Sequence, residues 1–278
     1  MFVSPKQKEL PMNKMQKALR ELAEMDELAA RTSPIHALHP GAKLLVAVAY
    51  LLVTLSFGKH DLSGLVPMVL WPVLLFQLSG IQVRTCFYKL RVVLPLVMAV
   101  GLFNPFFDRT PLLQFGGVAV SGGVVSMLTL MLKGVFCLMA SFLLVATTPL
   151  DRLCAALRQL RVPKLPVTLL LLTYRYVGVL TEELAVMTEA YQLRAPGQKG
   201  VHISAWGSFL GQLLLRSMDR AQELYSSMLL RGYRQEFPYA GLPPFRSRDA
   251  VFLLACTAGF LLLRFVRVAQ LLGGALVR

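Results

Sequence analysis

The sequence predicts an all-α integral membrane protein with about five transmembrane helices, joined to a polar module built on two long helices. Three observations carry that reading. The 278-residue chain is 55% hydrophobic and only 16% charged, against roughly 25% charged in soluble domains, and its mean hydropathy is +0.58. Its apolar residues gather in long segments separated by short polar turns, the pattern of membrane-crossing helices. One stretch, Pro149–Arg248, breaks that pattern with thirteen Lys/Arg and seven Asp/Glu, too many charges for the interior of a bilayer.

Taken in order, residues 1–42 form a polar N-terminal segment of mixed charge. It has no apolar run of the kind a signal peptide needs, so the first span is expected to serve as the targeting signal. Within it, Lys14–Arg31 reads as an amphipathic or surface helix, because Leu19, Leu22, Met25 and Leu28 recur at spacing three. Pro34 and Pro40 then break the chain. Residues 43–148 are read as four spans: Lys43–Phe57, Leu62–Ile81 with Pro67 and Pro72 inside it, Val92–Phe107 with Pro95, and Val118–Ala146, whose one charge is Lys133. That last run exceeds the roughly 20 residues a crossing needs, which implies tilt or a re-entrant start. The intervening loops are Gly58–Asp61, the basic Val83–Arg91, and Asp108–Gly117.

Residues 149–248 read as the polar module. Thr148 and Pro149 are placed as cap and first-turn residues of a short helix beginning at Asp151-Arg152-Leu153. Val162–Pro166 interrupts it. Val167–Arg194 and Ser204–Arg231 then read as two long helices; the doubtful stretch is Val167–Leu180, apolar but short and holding Arg175. Residues 249–278 supply the last span, Val251–Leu263, ending near Arg264 and Arg267. Basic residues concentrate in the N-terminus, the Val83–Arg91 loop and the Pro149–Arg248 module, which places all three on the cytoplasmic side. A fifth span would put the C-terminus outside, where Arg264, Arg267 and Arg278 fit poorly: either they snorkel or the span count differs by one, with Val167–Leu180 as the segment that decides it.

The net charge of +14 is read as this topological bias rather than as a nucleic-acid surface, since no interleaving of aromatic and basic residues supports the latter. Cys86, Cys137, Cys154 and Cys256 are scattered without a C-x-x-C pair and read as buried small apolar residues. His36 and His39 lie three apart, but a metal site needs three or four ligands, so none is assigned. Lys133 is expected to face a partner subunit or to snorkel. Glu182, Glu183 and Glu189 are expected on a solvated face or in pairs within their helix. No phosphate-binding loop, nucleophile elbow or H-E-x-x-H motif is present.

The candidate functional residues are two matched helix ends, Leu193-Arg194-Ala195 and Leu230-Arg231-Gly232. Each closes a long helix, with breakers following: Pro196-Gly197 after the first, Gly232 and Pro238 after the second. An arginine there complements the helix dipole. Two of them, each beside a small residue, also make a docking tip, because the small residue admits a partner surface and the guanidinium offers five donors in a fixed fork.

A family resemblance adds to this. Thr32-Ser33-Pro34-Ile35-His36-Ala37-Leu38-His39-Pro40-Gly41-Ala42-Lys43-Leu44-Leu45 resembles the Ser-Pro-x-His-x-Leu-x-Pro-x-x-Lys-Leu stretch of the transmembrane T components of energy-coupling-factor transporters. Gln192–Gly197 and Met228–Tyr233 resemble that family's two Ala-Arg-Gly-type coupling motifs. Arg216–Tyr225, followed by Met228–Tyr233, is most similar to the cobalt-uptake branch. The resemblance runs from about Thr32 to Phe237. It implies a scaffold in the cytoplasmic (inner) membrane that joins a pair of cytoplasmic ATPase subunits to a substrate-binding membrane subunit, the S component, with room for a small accessory membrane subunit. It implies that Arg194 and Arg231 enter grooves on the two ATPases. Under this reading the chain is not an enzyme and takes no cofactor and no nucleic acid. Nickel is the alternative ion. A secondary transporter is the rival class, disfavoured because the ionisable groups concentrate outside the membrane.

Overall fold

The computed structural model describes residues 21–265 apart from 22, 60, 92, 103–110, 116–117, 197, 199–200 and 235–242. Asp108, Arg267, Arg278, the end of the predicted third span and the predicted N-terminal helix before residue 21 lie outside the described residues. The chain divides into two compact units, one within residues 28–156 and 241–278, the other within 1–27 and 157–240. The architecture is all-α, as expected of this membrane protein, with one short β-hairpin.

A helix over 23–29 (α1) opens the described chain. The first unit then begins with α2, Pro40–Ser56. His39 is its N-cap: Nδ1 accepts the Gly41 N–H at 3.1 Å, and Pro40 fills the first helical position, where a missing N–H costs nothing. The predicted second span is broken into α3 (Leu62–Leu65), a 3₁₀ turn (Val66–Val69) and α4 (Leu70–Ser79). Proline causes the break. Pro72 has no N–H to give to the carbonyl of Met68, and the Tyr50 hydroxyl donates to that carbonyl instead, at 3.0 Å.

The basic Val83–Arg91 segment, expected as a loop, is the helix α5 (Val83–Leu90), bent 113° from the preceding helical stretch. It is amphipathic: Cys86 is fully buried and Lys89 half-buried, while Arg84 and Tyr88 are exposed. Its charges suggested a loop, but one buried face suffices to hold a helix of this length. The third span shows as the nine-residue α6 (Leu94–Leu102).

An antiparallel hairpin follows, β1 (Pro111–Phe115) with β2 (Val118–Ser121), pairing Phe115 with Val118 and Leu113 with Val120. It replaces part of the expected loop and the first residues of the expected fourth span. The β-branched Val118 and Val120 favour a strand where hydropathy alone read helix. The span itself is α7, Gly122–Thr147, of 26 residues. At 1.5 Å per residue such a helix measures about 39 Å, and among the described residues it alone is long and apolar enough to cross a bilayer unaided. It touches α6 through small residues. A Cβ on Gly101 would meet Met131 at 2.8 Å, and one on Gly134 would collide with Val97, so the two glycines permit the close approach.

α8 (Leu150–Gln159) follows Pro149, whose carbonyl accepts the Leu153 N–H at 3.0 Å. Thr148, expected as a cap, does not act as one through its side chain, since its hydroxyl is buried without a partner. The last helix of this unit, α11, spans Ser247–Phe265. The core lies among α2, α3, the 3₁₀ turn, α7 and α11: Val46, Tyr50, Phe57, Leu65, Met68, Phe136, Ala140 and Phe260 are all buried. Tyr50 stacks on Trp71 with centroids 4.4 Å apart, and Phe260 meets both rings edge-on at 5.3 and 5.5 Å.

The antiparallel pair α2 and α7 is fastened at both ends by lysine. Lys43 of α2 donates from Nζ to the Thr147 carbonyl at the end of α7, at 2.7 Å. Lys133 of α7 donates to the carbonyls of Leu55 and Phe57 at the end of α2. Arg264 joins there, donating to the Ser56 carbonyl at 3.2 Å and lying 4.8 Å from the Phe57 ring centre. The carbonyls at a helix end have no partner within the helix, and a cation there also offsets the negative pole of the dipole. Lys133, expected to face a partner or to snorkel, is therefore spent on α2.

The second unit holds two long helices, α9 (Lys164–Arg194) and α10 (Trp206–Leu230), the latter preceded by a 3₁₀ turn at Ile203–Ala205. Pro163 is the N-cap of α9, and Pro166 sits in its first turn, where proline is tolerated, so the helix starts three residues before the expected Val167. The Tyr174 hydroxyl on α9 donates to Asp26 of α1 at 2.6 Å.

Candidate functional site

The two predicted arginine tips are both helix ends, and they are built differently. Leu230 is the last residue of α10 and Arg231 its C-cap. Gly232 follows with φ +79°, the left-handed conformation that glycine reaches without a Cβ penalty. Its N–H donates to the Leu229 carbonyl and the Tyr233 N–H to the Met228 carbonyl, both at 2.9 Å. That is the full Schellman arrangement.

At the other tip, Arg194 is the last residue of α9 and Ala195 its C-cap, at φ −126° and ψ 66°. A single bond from the Ala195 N–H to the Tyr191 carbonyl, at 3.0 Å, closes it. Tyr191 compensates for the missing left-handed turn. Its hydroxyl donates to Gln198 Oε1 at 2.8 Å and accepts the His202 N–H at 3.3 Å, tying down the chain after the tip. Tyr191 was not singled out in the sequence; a lone tyrosine three residues before a helix end carries no pattern.

Arg194 and Arg231 are exposed and have no carboxylate partner among the described residues. The leucines before them are the more unusual residues: Leu193 is 79% exposed and Leu230 is 89% exposed.

The tips do not lie side by side. Glu183 of α9 forms an ion pair with Arg216 of α10. Leu165, Thr168 and Leu172 line a groove of about 850 Å³ together with Leu224, Met228 and Tyr233. The helices are therefore antiparallel, with the N-terminal part of α9 beside the C-terminal part of α10. Arg231 sits level with the start of α9, whereas Arg194 ends it. From Val167 to Arg194 a helix covers roughly 40 Å. Glu183, expected on a solvated face or in a pair within its own helix, instead bridges the two helices.

His36 and His39 have structural duties. His36 bonds the Ser33 hydroxyl through Nδ1 at 2.7 Å and the Leu28 carbonyl through Nε2 at 3.0 Å. A carbonyl only accepts, so Nε2 carries the hydrogen and Nδ1 accepts from Ser33. Burial lowers its pKa below the ordinary value of 6.5. The His39 N–H donates to Asp249 Oδ1 at 2.8 Å, and the other oxygen of that buried carboxylate accepts the Arg246 N–H, also at 2.8 Å. Asp249 thus closes the first turn of α11, as the acidic partner of a capping box does, and ties it to the start of α2. Sequence reading passed over Asp249; an acid three residues into a helix was the available signal. Among the described residues no group of three His, Cys, Asp or Glu could hold a metal ion.

Comparison with known proteins places this arrangement. A family model described as cobalt transport protein, CbiQ, matches residues 31–239, a range that holds the Ser33–Lys43 motif and both tips. The chain is 27% identical to the cobalt transport protein CbiQ of Rhodobacter capsulatus over 224 residues, covering 77% of this chain and 86% of that one. It is 25% identical to the energy-coupling factor transporter transmembrane protein EcfT of Lactococcus lactis over 217 residues, covering 73% and 81%. A shorter match, 32% identical over 91 residues and 33% of each chain, is to the nickel permease LarQ of Lactiplantibacillus plantarum. With three quarters of its length inside the family model, this chain belongs to the CbiQ family of cobalt transport proteins, the transmembrane components of energy-coupling-factor transporters.

Proposed function

We propose that this chain is the membrane scaffold of an ATP-driven importer of cobalt ions, joining two cytoplasmic ATPase subunits to a substrate-binding membrane subunit. The observation that carries the proposal is the pair of exposed arginines, Arg194 and Arg231, at opposite ends of two antiparallel helices. One socket could not receive both, whereas two copies of an ATPase, one at each end, could. Leu193, Ala195, Leu230 and Gly232 complete the two contacts. Each guanidinium would enter a groove bearing a carboxylate or carbonyls, where its donor fork is best used. Closure of the ATPases on ATP would draw the tips together and move α9 and α10, and with them the substrate-binding subunit. In this role the chain itself turns over no ATP. Its N-terminus and the module at 149–248 face the cytoplasm, by the excess of Lys and Arg there. Nickel is the second reading, favoured by the local match to a nickel permease; the ion is substrate and is held by another subunit.

The test is co-purification. Arg194→Ala and Arg231→Ala together are expected to release the ATPase subunits from the tagged chain in detergent, while the unaltered chain retains them. Equal recovery of the ATPases by both would overturn the docking role. Ion-uptake assays on the assembled complex separate cobalt from nickel.

A further inference from the structure

We propose that the unit built on α2, α7 and α11 carries a phosphate-binding site, in the cavity between the Pro34–His39 stretch and the start of α11. The proposal is independent of how the tips dock and of which ion is carried. The cavity measures about 370 Å³; Ile35 and Leu38 wall one side, Pro243 and Pro244 the other, and Arg246 and Arg248 border it. The observation that points to a ligand is His39, which lines the cavity and is only 4% exposed. Its Nδ1 accepts the Gly41 N–H, so the hydrogen of the neutral ring is on Nε2. That N–H has no acceptor among the described residues, and Phe245 holds the ring edge-on with centroids 5.5 Å apart. A buried donor without a partner is costly, and an acceptor in the cavity removes that cost. The start of α11 adds to it. The Ser247 and Arg248 N–H groups have no acceptor among the described residues, and such a helix start attracts anions. Asp249 also borders the cavity, but its two oxygens each take a main-chain N–H, from His39 and from Arg246. Against that one carboxylate stand the Arg246 and Arg248 guanidinium groups, exposed and without an ion-pair partner among the described residues. Two positive forks and a ring N–H suit an anion with several acceptor oxygens, which is what phosphate offers. Its source is a lipid headgroup or free phosphate. The apolar walls favour the headgroup, and so does position: α2 and α11 both run from this cavity into apolar sequence, and basic pockets beside membrane helices hold such headgroups.

The test is a titration of the full-length chain, in an uncharged detergent, with a short-chain phosphatidylglycerol. The matching diacylglycerol, which lacks the phosphate, is the control, and native mass spectrometry counts the lipids bound. Phosphatidylglycerol is expected to fill a single saturable site and diacylglycerol to bind nowhere. Arg246→Gln together with Arg248→Gln should weaken binding about tenfold or more. His39→Asn keeps an acceptor for the Gly41 N–H, since asparagine is a favoured N-cap, but lacks the ring N–H; it should weaken binding about threefold or more. Arg84→Gln together with Arg91→Gln removes the same charge from α5 and its C-cap, outside the cavity, and should stay within about twofold. Inorganic phosphate is then added as competitor. Retention of the lipid against an excess of it identifies the headgroup as the source, and displacement identifies free phosphate; both support the site. Absence of saturable binding overturns the proposal. So does binding by the Arg246 and Arg248 double variant within about twofold of the unaltered chain. An equal loss in the Arg84 and Arg91 double variant also overturns it, because the attraction is then diffuse. Both arginine pairs are exposed, so their thermal midpoints without lipid should match the unaltered chain. If His39→Asn fails to fold, the arginine variants alone decide the outcome.

Discussion

His36 shows how one side chain couples local geometry to solution behaviour. Its ring is held neutral between the Ser33 hydroxyl and the Leu28 carbonyl, and burial lowers its pKa from 6.5. Above about pH 6.5 the folded and unfolded chains both carry a neutral ring. Below it the unfolded chain takes up a proton that the folded chain resists, so stability falls as the pH drops from 6.5 towards the lowered value. The thermal midpoint in detergent should decline across that window, and His36→Gln should flatten the decline. Gly232 offers a second test at this scale. Nothing lies within 4 Å of where its Cβ would be, so Gly232→Ala costs only the positive φ, about 1 kcal/mol. Amide exchange at Gly232 and Tyr233 should quicken about fivefold. The two arginine-bearing helix ends were legible because a basic residue followed by a breaker marks a helix end. Asp249 and Tyr191 were not, because their partners, His39 and His202, are fixed only by the tertiary fold or the local turn.

Among the elements, α9 and α10 were legible almost to their ends, since long runs with helical spacing and proline or glycine at both limits leave few alternatives. The elements between residues 62 and 121 were harder. Hydropathy averages over a proline break, an amphipathic helix such as α5 and a strand of small β-branched residues, and reports all three as apolar or as loop. The contact between α9 and α10 was also hidden, because Glu183 and Arg216 lie far apart in sequence and either has closer charges to suggest as partners. No residue of α10 is buried, and Glu183–Arg216 is the polar contact shown between the two helices among the described residues. Their ion pair is partly exposed, 48% and 36%, and such pairs contribute about 0.2–1 kcal/mol. A double-mutant cycle with Glu183→Gln and Arg216→Gln should return a coupling of that size that shrinks in high salt. The charge-reversed pair Glu183→Arg with Arg216→Glu should recover most of it. A coupling of zero would mean that the groove-lining apolar residues alone hold the helices.

On the scale of the whole molecule, the division between membrane helices and a basic module predicts sidedness. In right-side-out vesicles, added protease should spare 149–248, and in inverted vesicles it should cut there first. Cleavage in the opposite pattern would reverse the topology inferred from the positive charges. The fold class was plain from composition, because so few charges cannot coat a soluble protein of this length. Which loops turn into helices was not, because burial of one face is decided by what packs against it.

The exchange of lysines between α2 and α7 bears on how such a molecule can move. Lys43 grips the end of α7, and Lys133 grips the end of α2. Either helix sliding along the other by one turn, 5.4 Å, would pull both ammonium groups off their carbonyls at once and leave those helix-end carbonyls without partners. The two contacts therefore act as a pair of dowels that index one helix against the other. Strain imposed on the membrane helices from outside has to rotate α2 and α7 together as one post, so any bending is left to the segments that carry no such pins.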